Sequence, residues 1–330
     1  MPIRGDVLIL SKALAYLAQG LLTQVSGTAS VIGLGLCLYI IARHYIGDQF
    51  MPILILDLVA PWLALLAVGC VAVTFLSPLR YYLMIFPALA CVGLCLPYLP
   101  SFVPRPAPPI RSLKVMTINV GGVHQNGYCV LNQLNEAQPH IVALQENYQP
   151  TSLIANSDYP YVAVDGHLTI LSRYPIVAQR TLGYAVEDGL AYGLEAMVEV
   201  EGTVIQVVSA YVHKPKLHLS QLAVRRKMRD TTLNALLHTA QTAQHPLLIM
   251  GDFNMSDLSS DYQHLSDHLQ DGWRGVGYGL GFTAPNIRLL PPYARVDYVW
   301  HSDHFKAVHA QTRQTTCGDH LPLEVGFTLS

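Results

Sequence analysis

Apolar positions along the chain follow two regimes, and the change comes near residue 100. Before it, three stretches are apolar almost without interruption, at about 28–46, 53–76 and 79–99. Each has close to the roughly 20 residues a helix needs to cross a hydrocarbon core about 30 Å thick. Arg43 and His44 close the first, Asp57 lies near the edge of the second with Trp62 beyond it, and Arg80, Tyr81, Tyr82 and Tyr98 bracket the third. Arginine and aromatic flanks of this kind suit headgroup depth. The stretch 7–24 differs: Lys12, Gln19 and Thr23 lie close to one helical face. A span would place Lys12 deepest, so this segment is expected as an interfacial helix. No small-residue cleavage site follows a basic start, so a removed signal peptide is not expected.

Residues 100–111 hold five prolines and read as a semi-rigid extended tether. Beyond it, short apolar runs recur between turn signals, which predicts strands at 113–120, 140–144, 168–171, 196–200, 204–211, 246–250, 296–300 and 323–327. Glu201-Gly202 joins two of them as a tight hairpin, and helical periodicity covers 130–137 and 219–242. Strands outnumbering helices in this order predict an α/β (α+β) domain over 112–330, with mixed sheets packed together and covered by helices. The chain thus divides into a membrane domain, 1–99, the tether and this second domain.

Composition sharpens that division. Charged residues make up 13% of the chain and hydrophobic ones 51%, against roughly 25% charged in a soluble domain. Residues 1–100 carry only Arg4, Lys12, Arg43, Arg80, Asp6, Asp48 and Asp57, and 13 of the 14 histidines follow residue 100. A simple soluble enzyme, a disordered chain and a coiled coil are excluded. The net charge of −2, without a basic run, argues against a protein that grips nucleic acid by its phosphates. Orientation stays open. An inner N-terminus puts Arg4, Lys12 and Arg80 inside, and the reverse puts Arg43, Arg105, Arg111 and Lys114 there. Four of six cysteines lie in the spans; a Cys129–Cys317 disulfide is open but not required.

Acids, amides and histidines gather just after the apolar runs, where a rigid scaffold offers catalytic groups. Asn119, Glu146, Tyr211 with His213, Asp252 with Asn254, and Asp297 occupy such ends, and Asp319-His320 precede the last run. Singly, each suits a turn or cap; six places in chain order are a pattern. The ordered set Thr117-Ile-Asn119, Leu144-Gln-Glu146, Ile170-Leu-Ser-Arg173, Gly251-Asp-Phe-Asn254, Arg295-Val-Asp-Tyr298 and Gly318-Asp-His320 resembles the endonuclease/exonuclease/phosphatase (DNase I-like) superfamily. Three spans and a proline tether before it resemble the superfamily's membrane-anchored bacterial branch.

The resemblance implies a four-layer α/β/β/α sandwich, and a multi-pass inner-membrane protein with its catalytic domain on the extracytoplasmic side. It implies a hydrolase of phosphate esters that uses Mg2+ or Mn2+. Glu146 is the expected metal ligand, with Asn119 and Asp319 completing or orienting the shell. Asp252 would hold or deprotonate the attacking water, Asn254 would donate to the phosphoryl oxygen, and His320, paired with Asp297, would meet the phosphate. For the remaining phosphate-side residue, the branch's His-Pro pattern favours His213 and the spacing to the strand end favours Tyr211. Gly318 stands where serine is common in the family. Tethering, with no basic footprint for a duplex, points to a lipid-linked or membrane-proximal phosphate ester as substrate, the bilayer as partner and no specific nucleic acid. A tethered nuclease and a non-catalytic receptor or scaffold are the alternatives. Arg225, Arg226, Lys227 and Arg229 read as a solvated helix face or, failing that, as a contact to anionic headgroups.

Overall fold

The computed structural model describes residues 3–47, 50–103, 112–121, 127–148, 150–184, 191–214, 222–287, 291–315 and 317–329. Most of the expected tether, residues 104–111, lies outside them. The chain divides into two compact units, Met1–Pro100 and Ser101–Ser330.

The first unit is helical. Helix α1 runs unbroken over Ile3–Ile46, so the segment 7–24 and the expected first span are one continuous helix. Thr23 and Thr28 bond the carbonyls of Gln19 and Gln24, which lets a helix carry hydroxyls through an apolar stretch without exposing unpaired groups. The expected second span is two helices, α2 (Met51–Leu58) and α3 (Ala60–Phe75), bent by 76°. Pro61 sits in the first turn of α3; it has no N–H to give to a carbonyl four residues back and its ring crowds that carbonyl, so the helix cannot run on through it, and the chain turns at Val59, φ −106° and ψ 11°. Asp57, at the end of α2, is buried and accepts a hydrogen bond from Tyr39 of α1. Helices α4 (Arg80–Leu83) and α5 (Ile85–Cys95) follow, and a 3-10 turn, Leu96–Phe102, closes the segment. Gly33 allows α1 to reach α5: a Cβ there would stand 2.5 Å from Pro87 N. By length and composition, Lys12–Ile46 and Ile85–Phe102 are long and apolar enough to cross a membrane, and the bent pair makes a third if it is one span.

The second unit is a four-layer sandwich. Its strands are β1 (Leu113–Asn119), β2 (Ile141–Gln145), β3 (Tyr161–Asp165), β4 (Leu168–Ser172), β5 (Ile176–Tyr184), β6 (Ala191–Val200), β7 (Thr203–Tyr211), β8 (Leu247–Asp252), β9 (Gln270–Asp271), β10 (Asp297–His301), β11 (Phe305–Thr312) and β12 (Leu323–Leu329). They form two six-stranded sheets, ordered β11-β12-β1-β2-β4-β3 and β5-β6-β7-β8-β10-β9. Its helices are α6 (Gly127–Ala137), α7 (Pro150–Ala155), α8 (Leu222–Thr242), α9 (Ser260–Ser266) and α10 (Gly272–Val276). Residues 219–221 of the expected long helix lie outside the described residues.

Three apolar layers hold the sandwich. Val115, Ile141, Leu168, Ile170, Leu194, Val207 and Met250 pack between the sheets. Leu131 and Leu134 of α6, with Leu153 of α7, cover Met116, Ile118, Val142 and Leu144 on the first sheet. Leu233 and Leu236 of α8, with Tyr262 and Leu265 of α9, cover Ile249, Tyr298 and Trp300 on the second. The central strands are therefore sealed on both faces, as their continuous apolar runs require. Cys129 of α6 is disulfide-bonded to Cys317, Cα to Cα 5.3 Å, which ties that helix to the loop carrying Asp319 and His320.

Candidate active site

The site forms where strands of both sheets end together. In the first sheet, β1 and β2 run parallel with Asn119 beside Gln145, so Asn119 and Glu146 leave the sheet side by side. In the second, β7 and β8 run parallel with Tyr211 beside Asp252, while antiparallel β10 sets Asp297 across from Asp252. Asn119 joins the sheets: its amide nitrogen donates to Glu146 Oε1 at 3.0 Å and to Asp252 Oδ2 at 2.9 Å. Gly251 is needed for this packing, because φ is +157° and a Cβ would fall 1.9 Å from the Ala210 carbonyl oxygen. Glu146 and Asn254 lie just beyond their strands in left-handed backbone, φ +53° and +46°. Such conformations cost about 1–3 kcal/mol each and collect at functional sites.

Asp252 is fully buried and saturated with donors. Its Oδ1 accepts the Asn254 backbone N–H at 2.9 Å, and its Oδ2 accepts the Asn254 side-chain amide at 2.8 Å as well as Asn119. Burial, with help from Asp297, raises its pKa to about 6 against the opposing pull of His320, Lys214 and Asn119. His320 Nδ1 stands 2.8 Å from Asp297 Oδ2, and its Nε2 is 4.0 Å from Asp252 Oδ2. Burial lowers the His320 pKa, but the two carboxylates outweigh it and push it up to about 9. Buried base and buried imidazolium thus sit side by side with opposite protonation at neutral pH.

Two groups of residues invite a cation. Ligand atoms of Asp252, Asp297 and His320 all lie within 4.8 Å of one another, but this cluster is sealed, its imidazole is engaged by Asp297 and its central carboxylate already accepts three hydrogens. Mg2+ prefers hard oxygens and keeps several waters. Glu146 and Asp319 fit that need better. Both are partly exposed, and Asp319 Oδ1 is buried with no hydrogen-bond partner among the described residues. Gly121 leaves the space clear, since a Cβ there would come 2.4 Å from Glu146 Oε2. Asn119 departs from a simple ligand role. Its oxygen accepts the Gly121 N–H at 2.9 Å, so it presents its donor to the carboxylates and orients them.

Tyr211 and His213 are both at the site, in different places. Tyr211 is hydrogen-bonded to Glu146, and burial followed by the Glu146 and Asp252 charges keeps its phenol protonated. His213 is buried against it, ring centroids 5.4 Å apart. Two basic residues carry more than the sequence assigned them. Lys214 stands 3.9 Å from Asp319 Oδ2; burial lowers its pKa, but Asp252, Asp319, Glu146 and Asp297 together hold it above its ordinary value. Its sequence signal was slight, a lone lysine following a candidate histidine. Arg229 is neither solvated nor a headgroup contact. It is buried, paired with Asp261 at 2.9 Å, and donates to the main-chain oxygens of His213, Phe253 and Asn254 at 3.4, 3.2 and 3.0 Å. Its phase explains the correction: it shares the inward face of α8 with Leu233 and Leu236, while Arg226 and Lys227 point outward.

A match to the Endonuclease/Exonuclease/phosphatase family spans residues 116–320, more than half of the chain. The chain belongs to this family. Family members are phosphoesterases and nucleases, which places the chain among hydrolases of phosphate esters. Solved structures agree on the fold. An endonuclease/exonuclease/phosphatase from Bacteroides vulgatus aligns with a TM-score of 0.55 at 14% identity, covering 67% of this chain and all of the other. A humanized TDP2 from D. rerio aligns at 0.53 and 16% identity, covering 66% and 99%. A mannosyl-6-phosphatase from Bacteroides thetaiotaomicron aligns at 0.52 and 14% identity, covering 66% and 100%. A search of curated proteins returned no match.

Proposed function

We propose that the chain is a membrane-anchored, divalent-metal-dependent phosphoesterase that acts on a lipid-linked or membrane-proximal phosphate ester. The observation that carries this reading is the pairing of a buried carboxylate raised to about 6 with a buried imidazole raised to about 9, next to the Glu146 and Asp319 carboxylates. Asp252 accepts the proton of the attacking water, and a pKa just below the working pH suits a base. Asn119 and Asn254 fix its oxygens, so the lone pair aimed at the water does not wander. Asp297 holds the His320 ring and keeps it charged, and the imidazolium N–H meets a phosphoryl oxygen as negative charge grows. Asn254, whose two amide hydrogens go to Val212 O and Asp252 Oδ2, and Tyr211, hydrogen-bonded to Glu146, position those two carboxylates, with His213 packed behind Tyr211. Glu146 and Asp319 would hold Mg2+ or Mn2+, which supplies Lewis-acid stabilisation of the phosphoryl oxygens.

Several features support the membrane part of the reading. Apolar helices keep the domain near lipid and raise its effective concentration there, whereas a nuclease gains little from anchoring. The Cys129–Cys317 disulfide suits an oxidising compartment, in keeping with an extracytoplasmic catalytic domain and an inner N-terminus. The detergent-solubilised chain should hydrolyse members of a lipid-phosphate panel in Mg2+ and act weakly on duplex DNA. Preference for DNA would favour the tethered nuclease; no turnover of any ester would favour a scaffold that has kept the fold.

A further inference from the structure

The charge balance of the site singles out Lys214. Four carboxylates, Asp252, Asp319, Glu146 and Asp297, act on its ammonium, and among the described residues the His320 ring stands beside two of them, 2.8 Å from Asp297 and 4.0 Å from Asp252. Even a divalent ion and a charged His320 ring would together fall one charge short of the four carboxylates. A phosphate ester would add a further negative charge to a site already negative. Lys214 closes that gap. Its placement also suits a group that moves onto a ligand. It lies just beyond β7, its side chain is 42% exposed, and its 3.9 Å ion pair with Asp319 is beyond hydrogen-bond reach. No short bond to this partner holds its three ammonium donors. Arg229, by contrast, is fully engaged by Asp261 and three carbonyls.

We propose that Lys214 is a substrate-contacting residue, whose ammonium binds a non-bridging oxygen of the phosphate ester while Asp319 turns to the divalent ion. This rests on the phosphoesterase reading above and adds to it a second fixed cation for the phosphate. A Coulombic contact of this kind acts on ground state and transition state alike, so it appears mainly in binding and KM.

Calorimetry on the full-length chain in detergent separates the roles, with inorganic phosphate titrated in Mg2+ and Mg2+ titrated alone. Lys214→Met should weaken phosphate binding about ten- to a hundredfold, the range for losing a charge-assisted hydrogen bond. Its Mg2+ affinity should hold or tighten, and Lys214→Arg should recover most of the phosphate affinity. KM for a generic nitrophenyl diester should rise more than kcat falls. Unchanged phosphate affinity in Lys214→Met would overturn the proposal and leave Lys214 a counter-ion of the carboxylates. Should Lys214→Met not fold, Lys214→Gln serves the same comparison, with the melting temperature recorded for each. A wild-type chain that releases nitrophenol while Lys214→Met keeps its KM removes this inference alone. A wild-type chain that neither binds phosphate nor releases nitrophenol removes the phosphoesterase reading with it.

Discussion

Replacing Asp297 by Asn keeps the shape of the side chain and removes the charge that holds His320 protonated. In the intact site, kcat/KM should rise through the Asp252 ionisation near 6 and fall through the His320 ionisation near 9. At pH 7.5 both groups are then almost wholly in the competent form. Without Asp297, His320 returns toward the ordinary histidine value of roughly 6.5 and is about one-tenth protonated at pH 7.5. The loss there should be about tenfold from ionisation alone, yet less than about twofold at pH 6.2, where the variant's imidazole is still mostly charged. The basic limb of the profile should move down by about two pH units or more. Two interacting groups titrate as a unit, so the test is movement of that limb rather than its absolute position. His320→Ala should erase the difference between the wild-type and Asp297→Asn backgrounds, because residues acting as one are not additive. A basic limb unmoved in Asp297→Asn, or a loss equal at every pH that follows the melting temperature, would refute the pairing and leave Asp297 a structural residue.

The remaining expectations are independent of that titration. Arg229→Lys keeps a charge but loses the fork that reaches Asp261 and three carbonyls, so stability should drop by about 1–3 kcal/mol. Because Asn254 and His213 lose their anchor, kcat should fall beyond the share explained by unfolding, read at a temperature well below the melting point. Reducing the Cys129–Cys317 bond, which closes 188 residues of chain, should lower stability by up to ~5 kcal/mol by loop entropy, seen as a lower melting temperature in dithiothreitol. A reporter fused at Ser330 should be active on the extracytoplasmic side; a C-terminus reachable only from the cytoplasm would reverse the orientation.

How much of this was legible in the sequence follows burial. The eight expected strands correspond to β1, β2, β4, β6, β7, β8, β10 and β12, which all lie inside their sheets. The four that went unread, β3, β5, β9 and β11, are the sheet edges. Interior strands are covered on both faces and read as apolar runs, whereas an edge strand such as Ile176–Tyr184 is exposed over most of its length and carries no such pattern. The residues named for the site were readable for the same reason, since each lies at the end of a buried run, and the fold then brings Asn119 and Asp252 together across 133 positions. Lys214 and Arg229 were missed because their meaning lies in tertiary contact. A lysine after a histidine, or an arginine among basic neighbours, gives no sign of which carboxylate or carbonyl it will meet. The continuity of α1 was hidden by Lys12, Gln19 and Thr23, polar positions that break an apolar count but not a helix.

The central claim is that Glu146 and Asp319 hold a divalent ion that Asp252 and His320 need for phosphate-ester hydrolysis. Its most direct measurement is the initial rate of nitrophenol release from a generic phosphodiester by the full-length chain, titrated with Mg2+ from an EDTA-stripped start. The wild-type rate should climb from zero to saturation. Glu146→Gln should reach at least about a hundredfold less at the same Mg2+, the loss typical of a key electrostatic group, with its melting temperature little changed. Full activity in EDTA, or a Glu146→Gln titration that overlays the wild type, would contradict the account.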